Sequence, residues 1–204
     1  MKKLISVLFV IALLLCSAAL AEAKTIASVD PGYDLAALAD GTYPVAFDLD
    51  ALKDGTLTVN VYSEDCYDIV DISAMEVGDT FVLGGLDFEI ESLERDSDDD
   101  LLINGGLNDN GFTLHAYEED NCWRVVMEND ENTYTNRGEA TLPLAEDVTF
   151  TDSWEIGKEP VTVTGAEEVA KAIAESEMDY FSPLNAVIRV ENGEIVEIVR
   201  TYMP

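Results

Sequence analysis

The sequence predicts a mainly β protein: an antiparallel β-sandwich or small open barrel over residues 24–152, then a small α+β part over 153–204 made of one helix and a β-hairpin. Three patterns carry this. Leu86, Phe88 and Ile90 alternate with Asp87, Glu89 and Glu91, the period of a strand with one apolar and one solvated face. A glycine turn opening into an alternating strand occurs twice, at Asp40-Gly41-Thr42 and Asp54-Gly55-Thr56. Beyond Thr164 the apolar period lengthens to that of a helix, and the chain closes on β-branched runs around Asn192-Gly193.

The first 23 residues read as a secretory leader. Lys2 and Lys3 precede an uncharged apolar run from Leu4 to Leu15, and Ala19-Leu20-Ala21 and Ala21-Glu22-Ala23 are both small-x-small cleavage signals. The run is short for a membrane span of about 20 residues. Cys16 would be the modified residue of a lipoprotein leader, but Leu15 before it is larger than such sites use. Cleavage before Glu22 or before Lys24 leaves about 180 residues, enough for one domain with a real core. The expected location is extracytoplasmic.

In chain order, Tyr43, Val45, Phe47 and Leu49 share one strand face, and Pro44, which lacks an amide donor, marks that strand as an edge. Leu57, Val59 and Val61 form the face of the next. Tyr67–Ile72 is a further strand candidate, interrupted by Asp68 and Asp71. The stretch from Cys66 to Cys122 holds the densest strand signals. Gly78-Asp79 and Gly84-Gly85 punctuate it as turns, and Leu101–Ile103 is a short apolar strand. Phe112–Tyr117 and Cys122–Met127 read as a hairpin joined through Glu118–Asn121, with Phe112, Leu114, Ala116, Trp123, Val125 and Met127 toward a common core. Glu128–Asn132 reads as an acidic turn, and Tyr134–Phe150 carries weaker strand signals. Thr164 and Glu167 fit a capping box, and Ala166, Val169, Ala170 and Ile173 form a helical stripe ending near Glu177. The hairpin flanking Asn192-Gly193 is apolar on both faces, so one face is expected on the helix and the other on the main sheet or a partner.

Forty-two acidic and 11 basic residues give a formal charge of −31. That field repels phosphate backbones and anionic lipid, which excludes nucleic acid and anionic membrane surfaces as partners. With 48% hydrophobic residues the chain is not compositionally disordered. Cys66 and Cys122 are an even pair in a chain read as exported, which favours a disulfide over two separate thiols. The bridge would close a loop of about 57 residues, contributing about 4 kcal/mol in the chain-entropy model.

Asp96, Asp98 and Asp100 are the candidate metal ligands, because alternating carboxylates in a loop can converge on one hard cation such as Ca²⁺. Leu101 and Leu107 stand where an EF-hand loop needs Gly and Glu, so the loop is not of that kind. No cofactor is required by any motif. His115 is the single histidine, which argues against a catalytic zinc. No Gly-x-Ser-x-Gly elbow accompanies it. Trp154, in a linker-like segment, is the better exposed candidate for a sugar platform; Trp123 lies on an apolar face. The expectation is a secreted, acidic, non-enzymatic binding module for an extracellular protein or carbohydrate ligand, with bound divalent cation as a stabiliser. The alternatives are a glycosidase-like hydrolase using paired carboxylates and an assembly subunit using the terminal hairpin.

Overall fold

The computed structural model describes residues 23–117, 121–127, 131–155, 157–176 and 181–202. The expected leader lies outside the described residues except for Ala23, as do most of the expected turns at 118–121 and 128–132. The strands in chain order are β1 (Thr25–Ile26), β2 (Gly41–Ala46), β3 (Leu52–Lys53), β4 (Thr56–Glu64), β5 (Tyr67–Asp68), β6 (Thr80–Leu83), β7 (Leu86–Glu89) and β8 (Leu93–Arg95). They continue as β9 (Leu101–Ile103), β10 (Phe112–Tyr117), β11 (Cys122–Val125), β12 (Tyr134–Ser153), β13 (Val161–Thr164), β14 (Ala186–Glu191) and β15 (Glu194–Thr201). Helices occupy Ile69–Ser73 and Ala166–Ala174. The predicted mainly β class is the observed one.

The strand of weakest sequence signal organises the fold. β12 is 20 residues long. Its first half runs antiparallel to β4, from Tyr134 opposite Glu64 to Pro143 opposite Thr56. Its second half runs parallel to β15 and antiparallel to β13. Since β15 pairs with β14, β14 with β2, and β2 with β4, the hydrogen-bonded order β4–β12–β15–β14–β2 closes on itself. The expected open barrel is therefore a closed ring. The side chains explain how one strand serves two neighbours. Ala140, Leu142 and Leu144 alternate inward; at the register shift between Leu144 and Thr149 the alternation breaks, with Ala145 buried and Glu146 and Asp147 exposed, and it resumes in the same phase with Val148 and Phe150. Closure leaves no edge along the ring.

Branched aliphatic side chains fill this core. Val45, Leu57, Val59, Val61, Val148, Ile188, Val190, Ile195 and Ile198 are all buried within it. Each contributes about 1.5–3 kcal/mol by leaving water. Val169 and Ile173 of the second helix join them, as the sequence stripe predicts. The cap differs from the expected box. Thr164 is the last residue of β13, paired with Thr149, and the N-cap is Gly165 at φ 100°, without a side-chain cap bond. Its N–H donates to Val148 O at 2.8 Å, and its carbonyl accepts from Val169 N at 2.9 Å. A left-handed backbone of this kind suits glycine.

Four further expectations are corrected by the pairing. β2 is not an edge, since β14 and β4 flank it; the β4 ladder begins only at Val45, one residue past Pro44. The terminal hairpin is not a separate part with the helix, because β14 pairs with β2 and β15 with β12, which completes the ring. Tyr67–Ile72 is a two-residue strand followed by a helical turn, because the Asp68 carboxylate accepts from Val70 N at 2.7 Å and caps it. Leu86, at the hairpin end of an edge strand, is 65% exposed while Ile90 is fully buried.

The residues between β4 and β12, together with Ile26 of β1, build a second core from Ile26, Tyr67, Ile72, Phe81, Ile90, Leu101, Ile103, Leu114, Trp123 and Val125. A five-stranded sheet, β5-β11-β10-β9-β8, and a three-stranded sheet, β1-β6-β7, supply it. The β10–β11 hairpin forms as predicted, with Leu114 opposite Val125 and Tyr117 opposite Cys122. Cys66 and Cys122 are joined in a disulfide, with Cα atoms 5.4 Å apart. Arg137 of β12 ties the N-terminal segment to the ring. Its Nε donates to Ser63 Oγ at 2.8 Å, and its Nη2 donates to the Val29 carbonyl at 2.8 Å.

Candidate functional site

At one end of the ring, β12, β13, β15 and the end of the second helix enclose a cavity of about 290 Å³. Asp152, Trp154, Val161, Ser176 and Arg200 line it, with Glu155, Lys158 and Glu159 at its mouth. That size is close to the lower end of small-molecule sites.

The base of the cavity is a buried ion pair. Arg200 is 2% exposed. Its position follows from strand phase: it continues the inward set of Ile198 and stands opposite Asp152 in the parallel β12–β15 pair. Nε donates to Asp152 Oδ1 at 3.1 Å and Nη2 to Oδ2 at 2.5 Å, a two-point contact that matches guanidinium to carboxylate. Nη2 also donates to Ser176 Oγ at 2.9 Å. The guanidinium lies 4.6 Å from the Phe181 ring centroid and 5.7 Å from that of Trp154, within cation–π reach of both. The Trp154 amide donates to Asp152 Oδ1 at 3.0 Å, which fixes the tryptophan to the same carboxylate. Tyr202 packs 6.1 Å from the Trp154 ring. Tyr202 and Val161 are 42% and 63% exposed, so the rim presents apolar surface to solvent.

The arrangement offers a half-buried indole, hydroxyl and carboxylate acceptors, and an arginine whose charge is already balanced. It suits a ligand with both hydrophobic faces and hydroxyl groups. Trp154 was legible in the sequence as the exposed tryptophan. Arg200, Asp152 and Ser176 were not singled out, although an arginine at the inward phase of an apolar strand signals a buried partner.

The candidate cation ligands lie elsewhere, in the tight turn between β8 and β9. The Asp96 carboxylate accepts from the backbone amides of Asp98 at 2.8 Å and Asp100 at 3.1 Å. Asp99 sits at φ 69°, and its carbonyl accepts from Arg95 Nη1 at 2.9 Å. Asp100 Oδ1 is 2.6 Å from His115 Nδ1 of β10. Asp96 and Asp100 thus satisfy the loop and its neighbouring strand. Among the described residues, no three His, Cys, Asp or Glu side chains gather in a group fit for a metal ion. His115 is exposed on the face opposite Leu114, stacked edge-on against Tyr117 at 5.2 Å.

Other shifted groups are structural. Burial pushes the Tyr67 phenol well above its ordinary range, and its hydroxyl donates to Val82 O at 2.8 Å. Asp79 is 6% exposed, and the amides of Lys24 and Glu76 hold its carboxyl below the usual range.

Comparison with known proteins finds no matching family model, no matching curated protein and no matching solved structure. The disulfide fits an extracellular location, and no helix among the described residues is long and apolar enough to cross a membrane. The fold and site together define a disulfide-bonded, mainly β protein with one aromatic-and-arginine cavity at the ring's end.

Proposed function

We propose that the protein is a secreted, acidic binding module that holds a neutral saccharide in the Trp154–Arg200 cavity. The observation that carries this is the pairing of Arg200 with Asp152 beneath the Trp154 ring. A buried cation without a counter-charge would recruit an anion. Here both carboxylate oxygens take the Nε–Nη2 edge of the guanidinium, so the charge of the cavity floor is balanced and it offers directional hydrogen bonds. The indole and Tyr202 supply the flat apolar surface that stacks on the C–H face of a sugar ring. The overall charge of −31 disfavours polyanionic ligands.

A binding role also accounts for the closed ring, whose paired β12 and β15 hold the cavity walls rigid before a ligand arrives. Isothermal titration against a panel of neutral oligosaccharides tests the reading. Binding of one member, lost in Trp154→Ala while the fold is retained, is the expected result. Binding that survives Trp154→Ala would place the ligand elsewhere. Turnover of any panel member, abolished by one carboxylate substitution, would replace the binding module with a hydrolase.

A further inference from the structure

Lys24 and Asp79 are brought together by the parallel pairing of β1 with β6, in which Thr25 lies opposite Thr80. Thr80 N donates to Lys24 O at 2.8 Å. The backbone nitrogen of Lys24 donates to Asp79 Oδ1 at 2.8 Å, and Glu76 N donates to Oδ2 at 2.9 Å. Asp79 is 6% exposed, so its carboxylate has left water with neutral amides as its recorded hydrogen-bond donors. The ε-ammonium of Lys24 turns to a different acceptor, the Ala74 carbonyl at 3.1 Å. Both Ala23 and Lys24 are exposed, so the peptide bond between them is at the surface.

We infer that the leader is removed between Ala23 and Lys24, and that the α-ammonium so created forms a buried ion pair with Asp79. Water adds across the Ala23–Lys24 amide; Ala23 leaves with the new carboxylate and Lys24 keeps the nitrogen, which takes up a proton. The atom that donates 2.8 Å from Asp79 Oδ1 then carries a full positive charge. This turns a hydrogen bond between a neutral amide and a carboxylate into one in which both partners are charged. The two small-x-small signals are thereby distinguished. Cleavage after Ala21 leaves Glu22 and Ala23 in place and Lys24 N as a neutral amide. Cleavage after Ala23 delivers the missing counter-charge. Processing and folding are coupled: the mature N-terminus leads directly into β1, whose Ile26 enters the second core opposite Phe81.

The inference rests on the export reading and is independent of the saccharide cavity. Its test uses the full 204-residue precursor, exported through its own leader. Intact mass of the product should place Lys24 first. A product beginning at Glu22, or at any other residue, overturns the inference; retention of the whole leader overturns the export reading as well.

A second arm reads the ion pair. The charged groups near the pair are Lys24 Nζ, the Glu76 side chain and, across the β6–β7 pair from Thr80, Glu89. Wild-type product should melt roughly 3–6 °C above Asp79→Asn near neutral pH, the size of a charge-assisted hydrogen bond in a chain of this length. That gap should narrow as the pH rises past the α-amine's paired value and the ammonium is lost. A gap constant from pH 6 to 10 would mean that Asp79 serves only the amides, and would overturn the ion pair. If Asp79→Asn is not exported, wild-type product acetylated selectively at its α-amine replaces it. A lower melting temperature after acetylation supports the pair, and an unchanged one overturns it.

Discussion

Asp152 and Arg200 stand directly opposite each other in the parallel β12–β15 pair, and the guanidinium meets both carboxylate oxygens, at 3.1 and 2.5 Å. The arginine side chain is 3% exposed and the carboxylate 26%. Removing one partner of such a pair strands the other charge. Asp152→Ala is expected to cost about 3 kcal/mol, while Asp152→Leu combined with Arg200→Met costs less than either single change. Arg200→Lys keeps the charge but loses the two-point fork, and is expected to weaken both stability and saccharide binding. Urea unfolding of Asp152→Ala, Arg200→Lys, the double variant and its two single components checks the order.

The disulfide joins the start of β5 to the start of β11, at the foot of the second core, between residues 56 positions apart in sequence. Replacing both cysteines by serine is expected to lower stability by about 4 kcal/mol. The second core should loosen first, because the ring is closed by strand pairing and does not contain either cysteine. Hydrogen exchange read separately at Leu114 and at Ile188 in the reduced protein checks this. Equal loss at both amides would contradict it.

Asp79 sets a pH dependence on the acid side. Backbone amides of Lys24 and Glu76 hold its pKa below the ordinary value of 3.8 in the folded protein. Its contribution is therefore complete above that value and is lost as the pH falls through the lower, folded value. Asp79→Asn is expected to be less stable at neutral pH but to lose less on acidification below pH 4 than wild type does. Melting curves of the two proteins across that range measure the convergence.

Gly111 illustrates a backbone constraint. A Cβ there would stand 2.0 Å from the Ile103 carbonyl oxygen and 2.5 Å from that of Asn104. Neither is a side chain that can swing aside. Gly111→Ala is expected to cost about 3 kcal/mol by forcing the β9–β10 turn apart. A change within about 0.5 kcal/mol, the usual range for surface substitutions, would contradict that.

Local pattern made much of this fold legible. The β10–β11 hairpin, the inward sets of β2 and β4 and the helical stripe all follow from periodicity, and their central residues, among them Leu114, Val125, Val45, Val59, Val169 and Ile173, are buried while the set ends Leu49, Phe112 and Ala166 are half-buried. What local pattern does not specify is which strand a strand will join. Ile188 lies opposite Tyr43, about 145 residues away, and nothing in the run from Ala186 to Glu191 names that partner. β12 was under-read because its alternation is interrupted after Leu144, where Ala145 is buried and Glu146 and Asp147 are exposed before Val148 and Phe150 resume the inward set. The cavity was half legible. Trp154 could be chosen for its setting, but Asp152, Ser176 and Arg200 meet only once β12, β15 and the second helix have packed. The turn of Asp96, Asp98 and Asp100 was conspicuous for its charge, yet two of its three carboxylates bond to the loop's own amides and to His115.

The most direct test of the saccharide reading uses Trp154 as its own reporter. Trp123 is 6% exposed in the second core, so a Trp123→Phe protein leaves Trp154 as the sole tryptophan. Its fluorescence should shift saturably with one neutral oligosaccharide of a panel, and that binding should weaken when Arg200→Lys is added to the same protein. No spectral response to any neutral saccharide at millimolar concentration, in protein that melts as wild type does, would contradict the assignment of this cavity.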